Sequence, residues 1–479
     1  MAPRALSRLK SVDFYRKLPT DLTEATLSGA TISIATTFLI LFLLGAELSS
    51  YMATKTRTDM VVDRSAHGEL LRINFNISLP QLSCEFATLD VSDAMGLKRL
   101  NLTKTVRKQS INENLGKVGA ATEDKKMHDP KYDKDHPGFQ YEDVNISTPL
   151  STDNFDAVAS QYDVLIVNFF APWCPWCQRL GPTWEAVTED IHNRYPESDG
   201  RIRMAKVDCT AEVDLCRKHY ITAFPSIRIF RHGSDDVVRL GHHEHESYYG
   251  DRTKEDLTKM ADALAESAGQ PHTFVHGVAK GAKSSGCNFS GFLLVKKVPG
   301  TLHFVARGPG HSFDYLNMNL SHQVHYMYYG NKPSPRRRAL LQHMHPLGLT
   351  DDWSDKLRGQ SFTNDGNGVT YEHYMQVVLT TIEPRRRPEL AFDAYEYTVQ
   401  SHQYKLGEHA GTEDHASAKF TYRLSPIQIV VTEQPRQLYK FLTAICAVIG
   451  GVFTVAGIID GMVHQVNKIA KKVDLGKQG

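Results

Sequence analysis

Two uncharged apolar runs bracket the chain, and they limit its folding more than any other feature. Residues 26–46, TLSGATISIATTFLILFLLGA, and residues 441–459, FLTAICAVIGGVFTVAGII, hold no charged side chain. Each has about the ~20 residues a helix needs to cross a bilayer core. The alternative for the first is a cleaved signal peptide. Its leader, residues 1–25, is long for a signal n-region, and Glu47 follows the run with no small-residue cleavage pattern. The alternative for the second is a buried core helix, but a helix apolar on every side suits lipid. GGVFTVAG also supplies small residues for close helix packing there. Arg4, Arg8, Lys10, Arg16 and Lys17 precede the first run, and Lys468, Lys471, Lys472 and Lys477 follow the second. The positive-inside rule then puts both ends in the cytosol and everything between on the opposite side.

Five N-x-S/T sequons, at Asn76, Asn101, Asn145, Asn288 and Asn319, all fall between the two runs. They are expected glycosylation sites in a secretory lumen, where disulfides persist. A net charge of +1 gives no global field for nucleic acid. Seven cysteines in 479 residues are too few for a disulfide scaffold. Their spacing is what carries information.

Cys174 and Cys177 stand in APWCPWCQRLGPTWEAV, directly after the strand-like run DVLIVNFF (163–170). A helix follows to about residue 194, with Pro182 as an expected kink. RIRMAKVD (201–208) reads as a second strand and AEVDLCRKHY as a helix. SIRIF (226–230) and DVVRL (236–240) read as a hairpin around RHGSD, and a last helix at 253–268 starts on a capping box of Thr253 and Asp256. This order predicts an α/β unit of residues 148–268. Cys174 then sits at a helix N-terminus, where free N–H groups and the helix dipole favour a thiolate. Cys177, one turn on, is placed to attack a mixed disulfide. The alternatives are half a zinc site or two inert core cysteines. A zinc site needs a second ligand pair, and the nearest histidines, His242, His243 and His245, read as a solvated polar loop.

The run VNFFAPWCPWCQRLGPTWE, continued by AKVDCTAEVDLCRKHYITAFPSIRIF, resembles the active-site region of protein disulfide isomerase thioredoxin domains. The resemblance implies a thiol–disulfide oxidoreductase with catalytic Cys174 and Cys177, no cofactor and no metal. It makes Phe224–Pro225 the cis-proline turn that helps bind an extended client strand. It makes Cys209 and Cys216 a structural disulfide, and Arg252 a residue that tunes the buried cysteine. Trp173 and Trp176 flank the sulfurs. Trp176 stands where the family has a histidine, so the Cys174 pKa should rise and the reduction potential should fall from ~−180 mV toward ~−270 mV. Pro175 stiffens the loop and complicates that expectation. Asn168 replaces the family's buried acid, which leaves Lys206 expected without a carboxylate. A buried unpaired lysine tends toward the neutral amine, and snorkelling to water is the alternative.

Residues 104–147 are charged, lack an apolar period and read as a linker. Strand-like segments at 68–92, 291–306, 371–382, 394–404 and 418–433 predict an antiparallel β-sandwich assembled from both sides of the insertion. LPTDLTEATLSGATISI, RINFNISLPQLSCEFATLDVSDAMG, GCNFSGFLLVKKVPGTLHF and FTYRLSPIQIVVTEQPRQLYKFLTAICAVIGGVFTVAGIIDG resemble the ERGIC/Erv-type cargo receptors of COPII vesicles. The combination resembles the membrane-anchored, PDI-C type of disulfide isomerase-like proteins. The expected order is a cytosolic segment (1–25), a transmembrane helix (26–46), a lumenal receptor part (47–103), the linker (104–147), the thioredoxin domain (148–268), a second β-rich lumenal part (269–435), a transmembrane helix (441–461) and a cytosolic tail (462–479). The fold class is thus a multidomain membrane protein with two transmembrane helices, a lumenal sandwich and an inserted thioredoxin fold. Cys84 and Cys287 are expected to pair across the insertion, with two buried free thiols as the alternative. Cys446 reads as a packing residue, and PRRR (335–338) and PRRRP (384–388) as solvated loops.

The resemblances place the protein in the endoplasmic reticulum membrane and the ER–Golgi intermediate compartment. Its expected partners are cysteine-bearing clients or cargo, the membrane, COPII or COPI coat proteins at the cytosolic tails, and a like or related receptor chain as oligomer. The alternative function is a cargo receptor that uses the thioredoxin domain to hold cargo.

Overall fold

The computed structural model describes residues 27–476 except 54, 64–68, 94–104, 113, 119–120, 124–127, 134–145, 240–241, 269–273, 283–285, 345–353, 365, 386, 406–414 and 435–436. Asn101 and Asn145 lie outside the described residues. Two units make up the chain. One holds the long helices Leu27–Met52 and Leu438–Gly476. Within them, Gly29–Met52 and Leu438–Ile469 have mean hydropathies of 2.0 and 2.4 and no buried share, so both are long and apolar enough to cross a membrane. Both helices outrun the apolar segments read from sequence. Their ends meet through stacked Tyr51 and Phe441 rings, 4.3 Å between centroids. Cys446 is exposed on the second helix.

The other unit spans Thr58–Glu383 and Arg387–Val431. Among the described residues its carrier part is two facing sheets. The first runs Gln360–Phe362, His322–Tyr329, Leu70–Leu79, Gly286–Lys296, Val106–Ile111, Thr122–Glu123. The second runs Thr56–Val62, Ile427–Glu433, Val369–Glu383, Ala418–Leu424, Gly300–Ala306, Ala87–Asp93, with Phe392–Lys405 also on Val369–Glu383. Alternating apolar residues of both sheets meet between them. Phe304 packs edge-on against Phe289 at 5.2 Å and Phe420 at 5.6 Å. Val369–Glu383 and Ala418–Leu424 depart from the antiparallel pattern and run parallel. Cys84 and Cys287 are joined (S–S 2.00 Å) across 203 residues of chain. In the chain-entropy account a closure of that length contributes about 5 kcal/mol.

The segment read as a linker is not one throughout. Val106–Ile111 is a ladder strand on Gly286–Lys296. Val106, Lys108 and Ile111 are buried, with Val106 and Lys108 on the face toward the core, and the Lys108 ammonium lies over the Phe289 ring at 5.6 Å. A cation at an inward position hid the alternation. Pro335–Met344 is a helix rather than a loop, with Pro335 in its first turn and Leu341 and Met344 buried.

The inserted α/β unit has strands β1 (Thr148–Pro149), β2 (Val164–Phe170), β3 (Ile202–Asp208), β4 (Ser226–Arg231), β5 (Val237–Arg239), β6 (His242–Tyr248) and β7 (Val278–Ala282). Its helices are α1 (Phe155–Gln161), α2 (Pro175–Arg194), α3 (Val213–Lys218) and α4 (Lys254–Glu266). The sheet order is β5-β6-β4-β2-β3-β1, with β7 on β6. β2 is buried along its whole length, as its run of apolar residues requires. Thr253 caps α4 by accepting the Asp256 N–H at 3.3 Å. The β5 segment does not pair with β4 as expected. The polar His-rich stretch forms β6 and takes that place. Its charged side chains are met in part by ion pairs. Glu246 pairs with Arg231 at 2.8 Å and Lys280 at 3.4 Å, and His245, buried, lies 3.7 Å from Glu85. His243 is exposed and bonds Asp236.

Two histidines of the sandwich core face each other, His322 Nε2 to His373 Nε2 at 2.9 Å, both buried. Burial holds His322 down to about 4, and burial with its neighbour holds His373 down to about 3. Both folded values lie below the ~6.5 of an unfolded histidine. The unfolded chain therefore binds more protons between those limits, and stability falls as pH drops below about 6.5. In urea titrations of the detergent-solubilised chain, His322→Gln/His373→Gln should flatten the loss between pH 6.5 and 5 by up to ~1.4 kcal/mol per pH unit per histidine.

Candidate active site

Strand β2 ends where Ala171 turns the chain, and α2 begins at Pro175, whose fixed φ and missing N–H suit a first helical position. Cys174 is therefore the N-cap. Its sulfur accepts the Cys177 N–H at 3.1 Å, a first-turn donor that also reaches the Cys174 carbonyl at 3.1 Å. Cys177 follows one turn later and is bonded to Cys174, with Cα atoms 5.2 Å apart. Both sulfurs are buried, at 0% exposure. Cys209 and Cys216 are joined as a second disulfide of the unit (S–S 1.99 Å).

The peptide bond Phe224–Pro225 is cis and lies against this pair. The Phe224 carbonyl oxygen is 3.5 Å from the Cys174 sulfur. Trp173, 46% exposed, packs edge-on over the Phe224 ring at 5.9 Å. Trp176 is half-buried under the Tyr132 ring, stacked at 5.3 Å, with the Arg179 guanidinium 5.2 Å from its ring. Tyr132 thus reaches the redox loop from the segment read as linker, and burial raises its pKa.

Arg252 is buried and holds three pieces of chain. It donates to the Pro225 carbonyl at 3.2 Å, to the Gly310 carbonyl at 2.8 Å and to the Tyr132 hydroxyl. It also donates to His311 Nε2 at 2.9 Å, since His311 Nδ1 is spent on the Pro309 carbonyl at 2.7 Å. Burial, and then the Arg252 charge, holds the His311 pKa down to about 4. Gly310 sits at φ +66, and a Cβ there would meet Pro130 Cγ at 2.5 Å.

The expectation of a carboxylate-free Lys206 is overturned. Lys206 Nζ lies 3.1 Å from Glu185 Oε1, and both side chains are buried. Glu185 also accepts the Ser147 N–H at 2.7 Å and the Ser147 hydroxyl at 2.6 Å. It comes from the buried face of α2, two turns past Cys177 on the same side. Asn168 is the parallel ladder neighbour of Lys206 and is itself fully buried. The acid missing at residue 168 is thus supplied from a helix, where a lone Glu in PTWEAV reads as surface.

The sequons also divide. Asn76 and Asn319 are half-buried. Asn288 is buried on its strand, and its side-chain nitrogen donates to Asn76 Oδ1 at 2.6 Å and to Ser78 Oγ at 2.9 Å. That withdraws Asn288 as a glycan acceptor in the folded chain. Tyr132, Glu185 and residues 310–312 were missed by sequence reasoning. Only the aromatic residue in a charged run, HDPKYDKDHPG, offered a signal.

Three family models match the chain. Residues 9–100 match that of the Endoplasmic Reticulum-Golgi Intermediate Compartment (ERGIC), residues 147–263 match thioredoxin, and residues 270–460 match the endoplasmic reticulum vesicle transporter. Protein disulfide-isomerase 5-4 of Arabidopsis thaliana is 45% identical over 489 residues, covering 98% of this chain and 99% of its own. A protein disulfide isomerase-like 5-4 of Oryza sativa subsp. japonica is 45% identical over 493 residues with the same coverage. A probable endoplasmic reticulum-Golgi intermediate compartment protein 3 of Dictyostelium discoideum is 25% identical over 491 residues, again covering 98% and 99%.

Removing one partner of the buried Lys206–Glu185 pair strands a carboxylate with Ser147 alone. Lys206→Met should therefore cost about 3–5 kcal/mol, and Glu185→Leu/Lys206→Met should recover most of it. Denaturant titration followed by fluorescence of buried Trp184 reads the difference.

Proposed function

We propose, for a chain that belongs to the family of protein disulfide-isomerases 5-3 and 5-4, that Cys174 and Cys177 form a client-directed dithiol carried on a twice-anchored membrane protein. The observation that carries this is the Cys174 sulfur at the α2 N-cap, accepting the Cys177 N–H with Cys177 bonded behind it.

In the reducing direction the Cys174 thiolate attacks a client disulfide. The client S–S bond breaks, one client sulfur leaves and takes a proton, and the other remains in a mixed disulfide with Cys174. The Cys177 thiolate then attacks the Cys174 sulfur. The second client thiol is released, and two electrons have passed from the Cys174–Cys177 pair to the client. Run backwards, the same steps oxidise a client dithiol. Helix-end donors favour the thiolate at Cys174 in either direction. Trp173 offers an exposed apolar contact for the client, Pro225 orients the adjoining loop, and Arg252 positions that loop through its carbonyl. The Cys84–Cys287 and Cys209–Cys216 disulfides are structural, and Asn76, Asn101, Asn145 and Asn319 are the glycan acceptors.

The chain is a membrane protein of the endoplasmic reticulum and ER–Golgi intermediate compartment class. Basic residues outside both spans support cytosolic termini and a lumenal redox unit. Coat proteins at the tails and a related receptor chain as oligomer partner are the contacts this topology allows. The vesicle-transporter match over residues 270–460 favours a second reading, in which the same unit retains cargo during transport.

Cys177→Ser separates these readings. An oxidoreductase should accumulate dithiothreitol-sensitive complexes with many lumenal proteins and lose insulin reduction, and Cys174→Ser should form none. Few or no clients trapped by Cys177→Ser, together with export that persists when both cysteines are replaced, would favour the receptor and sink the enzyme.

A further inference from the structure

The Phe224 backbone is already paired. Its N–H donates to the Ser312 carbonyl at 2.9 Å, and the Ser312 N–H donates back to the Phe224 carbonyl at 2.7 Å. The two residues form an antiparallel bridge between the inserted unit and the carrier part. That same Phe224 carbonyl oxygen lies 3.5 Å from the Cys174 sulfur. Any extended segment that pairs with Phe224 therefore lies against the redox centre, and here the occupant belongs to the chain itself.

The occupant is held on both sides. Gly310 and His311 take the Arg252 guanidinium, and the Tyr132 hydroxyl donates to the Gly310 carbonyl at 3.0 Å. Phe313 is buried in the sandwich core, which also takes in Ala223, the residue before Phe224. With the segment in place Cys174, bonded to Cys177, has 0% exposure. A sulfur with no accessible surface cannot approach a client S–S bond, so reaction requires an opening.

We propose that residues 309–313 are a resident occupant of the Phe224 edge, where the proline-turn resemblance already puts an extended client strand, and that a client must displace them to reach Cys174. This rests on the reading of Cys174 and Cys177 as the redox pair. The site offers one donor and one acceptor to a backbone in extended form, as in strand addition to a sheet edge. A segment already in a helix has both groups engaged, and a proline at the paired position lacks the donor. Unfolded segments qualify and folded proteins do not. The resident strand lowers the apparent affinity of every client by the fraction of molecules that are open. Weakly pairing segments are thereby excluded.

The test uses the full chain in detergent, reduced and then treated with iodoacetamide, with alkylation of Cys174 followed by mass spectrometry. Ser312→Pro removes the donor to Phe224 and should raise the rate at least tenfold, while Ser312→Ala keeps both backbone bonds and should match the unaltered chain. Equal rates in Ser312→Pro and the unaltered chain overturn the proposal. Should Ser312→Pro fail to fold, hydrogen exchange decides in the Cys177→Ser chain carrying trapped scrambled ribonuclease A. The Ser312 amide should lose its protection when the client is bound. Retained protection beside a trapped client overturns the resident strand and leaves the redox reading intact. Absence of any trapped client overturns the redox reading, and the alkylation rate of Cys174 in the unaltered chain then decides the occlusion: a rate equal to that of a free peptide thiol overturns it.

Discussion

The Arg252 guanidinium, buried and planar, lies where three stretches of chain meet. It reaches the proline loop of the inserted unit at Pro225, the sandwich loop at Gly310 and His311, and the intervening segment at Tyr132. A buried charge is tolerated only where its donors are met, and the fork of an arginine can serve several acceptors at once. Each stretch is therefore held at the others' expense of freedom. Beside the apolar contact of Ala223 with the sandwich core, this one group ties the redox loop to the carrier sheets.

That placement changes what an insertion means here. The central pair of one carrier sheet, Leu70–Leu79 on Gly286–Lys296, joins residues from either side of the inserted unit. The Cys84–Cys287 bond closes the same junction covalently. With its entry and exit fixed, the α/β unit has little need of further contacts to stay attached. It makes them all the same, through Tyr132 on Trp176 and Ser312 on Phe224. Both contacts lie beside the redox loop, and a further one joins Glu85 of the carrier part to His245 of β6 at 3.7 Å.

Inside the unit, polar burial is arranged around the sheet. Asn168 and Lys206 are ladder neighbours, and Glu185 completes the charge balance from α2 together with Ser147. Moving the acid from strand to helix keeps Lys206 paired in a low-dielectric interior while placing a neutral amide on the strand that leads to Cys174. A buried ion pair of this kind adds little net stability over an apolar pair but penalises the loss of either member.

The two membrane helices, the α/β unit and the redox pair were legible in the residues, because each rests on a local pattern. An uncharged run of span length, an apolar strand ending at C-x-x-C, and the Thr253 cap of the last helix need no distant partner to be recognised. Segments stabilised by side chains from elsewhere in the chain were not legible. Val106–Ile111 carries an inward lysine that only the Phe289 ring explains, and β6 is polar because Arg231, Lys280 and Glu85 meet it across the sheet. Glu185 finds Lys206 across 21 residues, and Ser312 finds Phe224 across 88. The sequence by itself determined the chemistry of the thiols, since a helix N-terminus acts on the residue that caps it. Only the tertiary structure decided that those thiols are covered, because backbone groups on a loop edge pair with whichever extended segment the packing brings beside them.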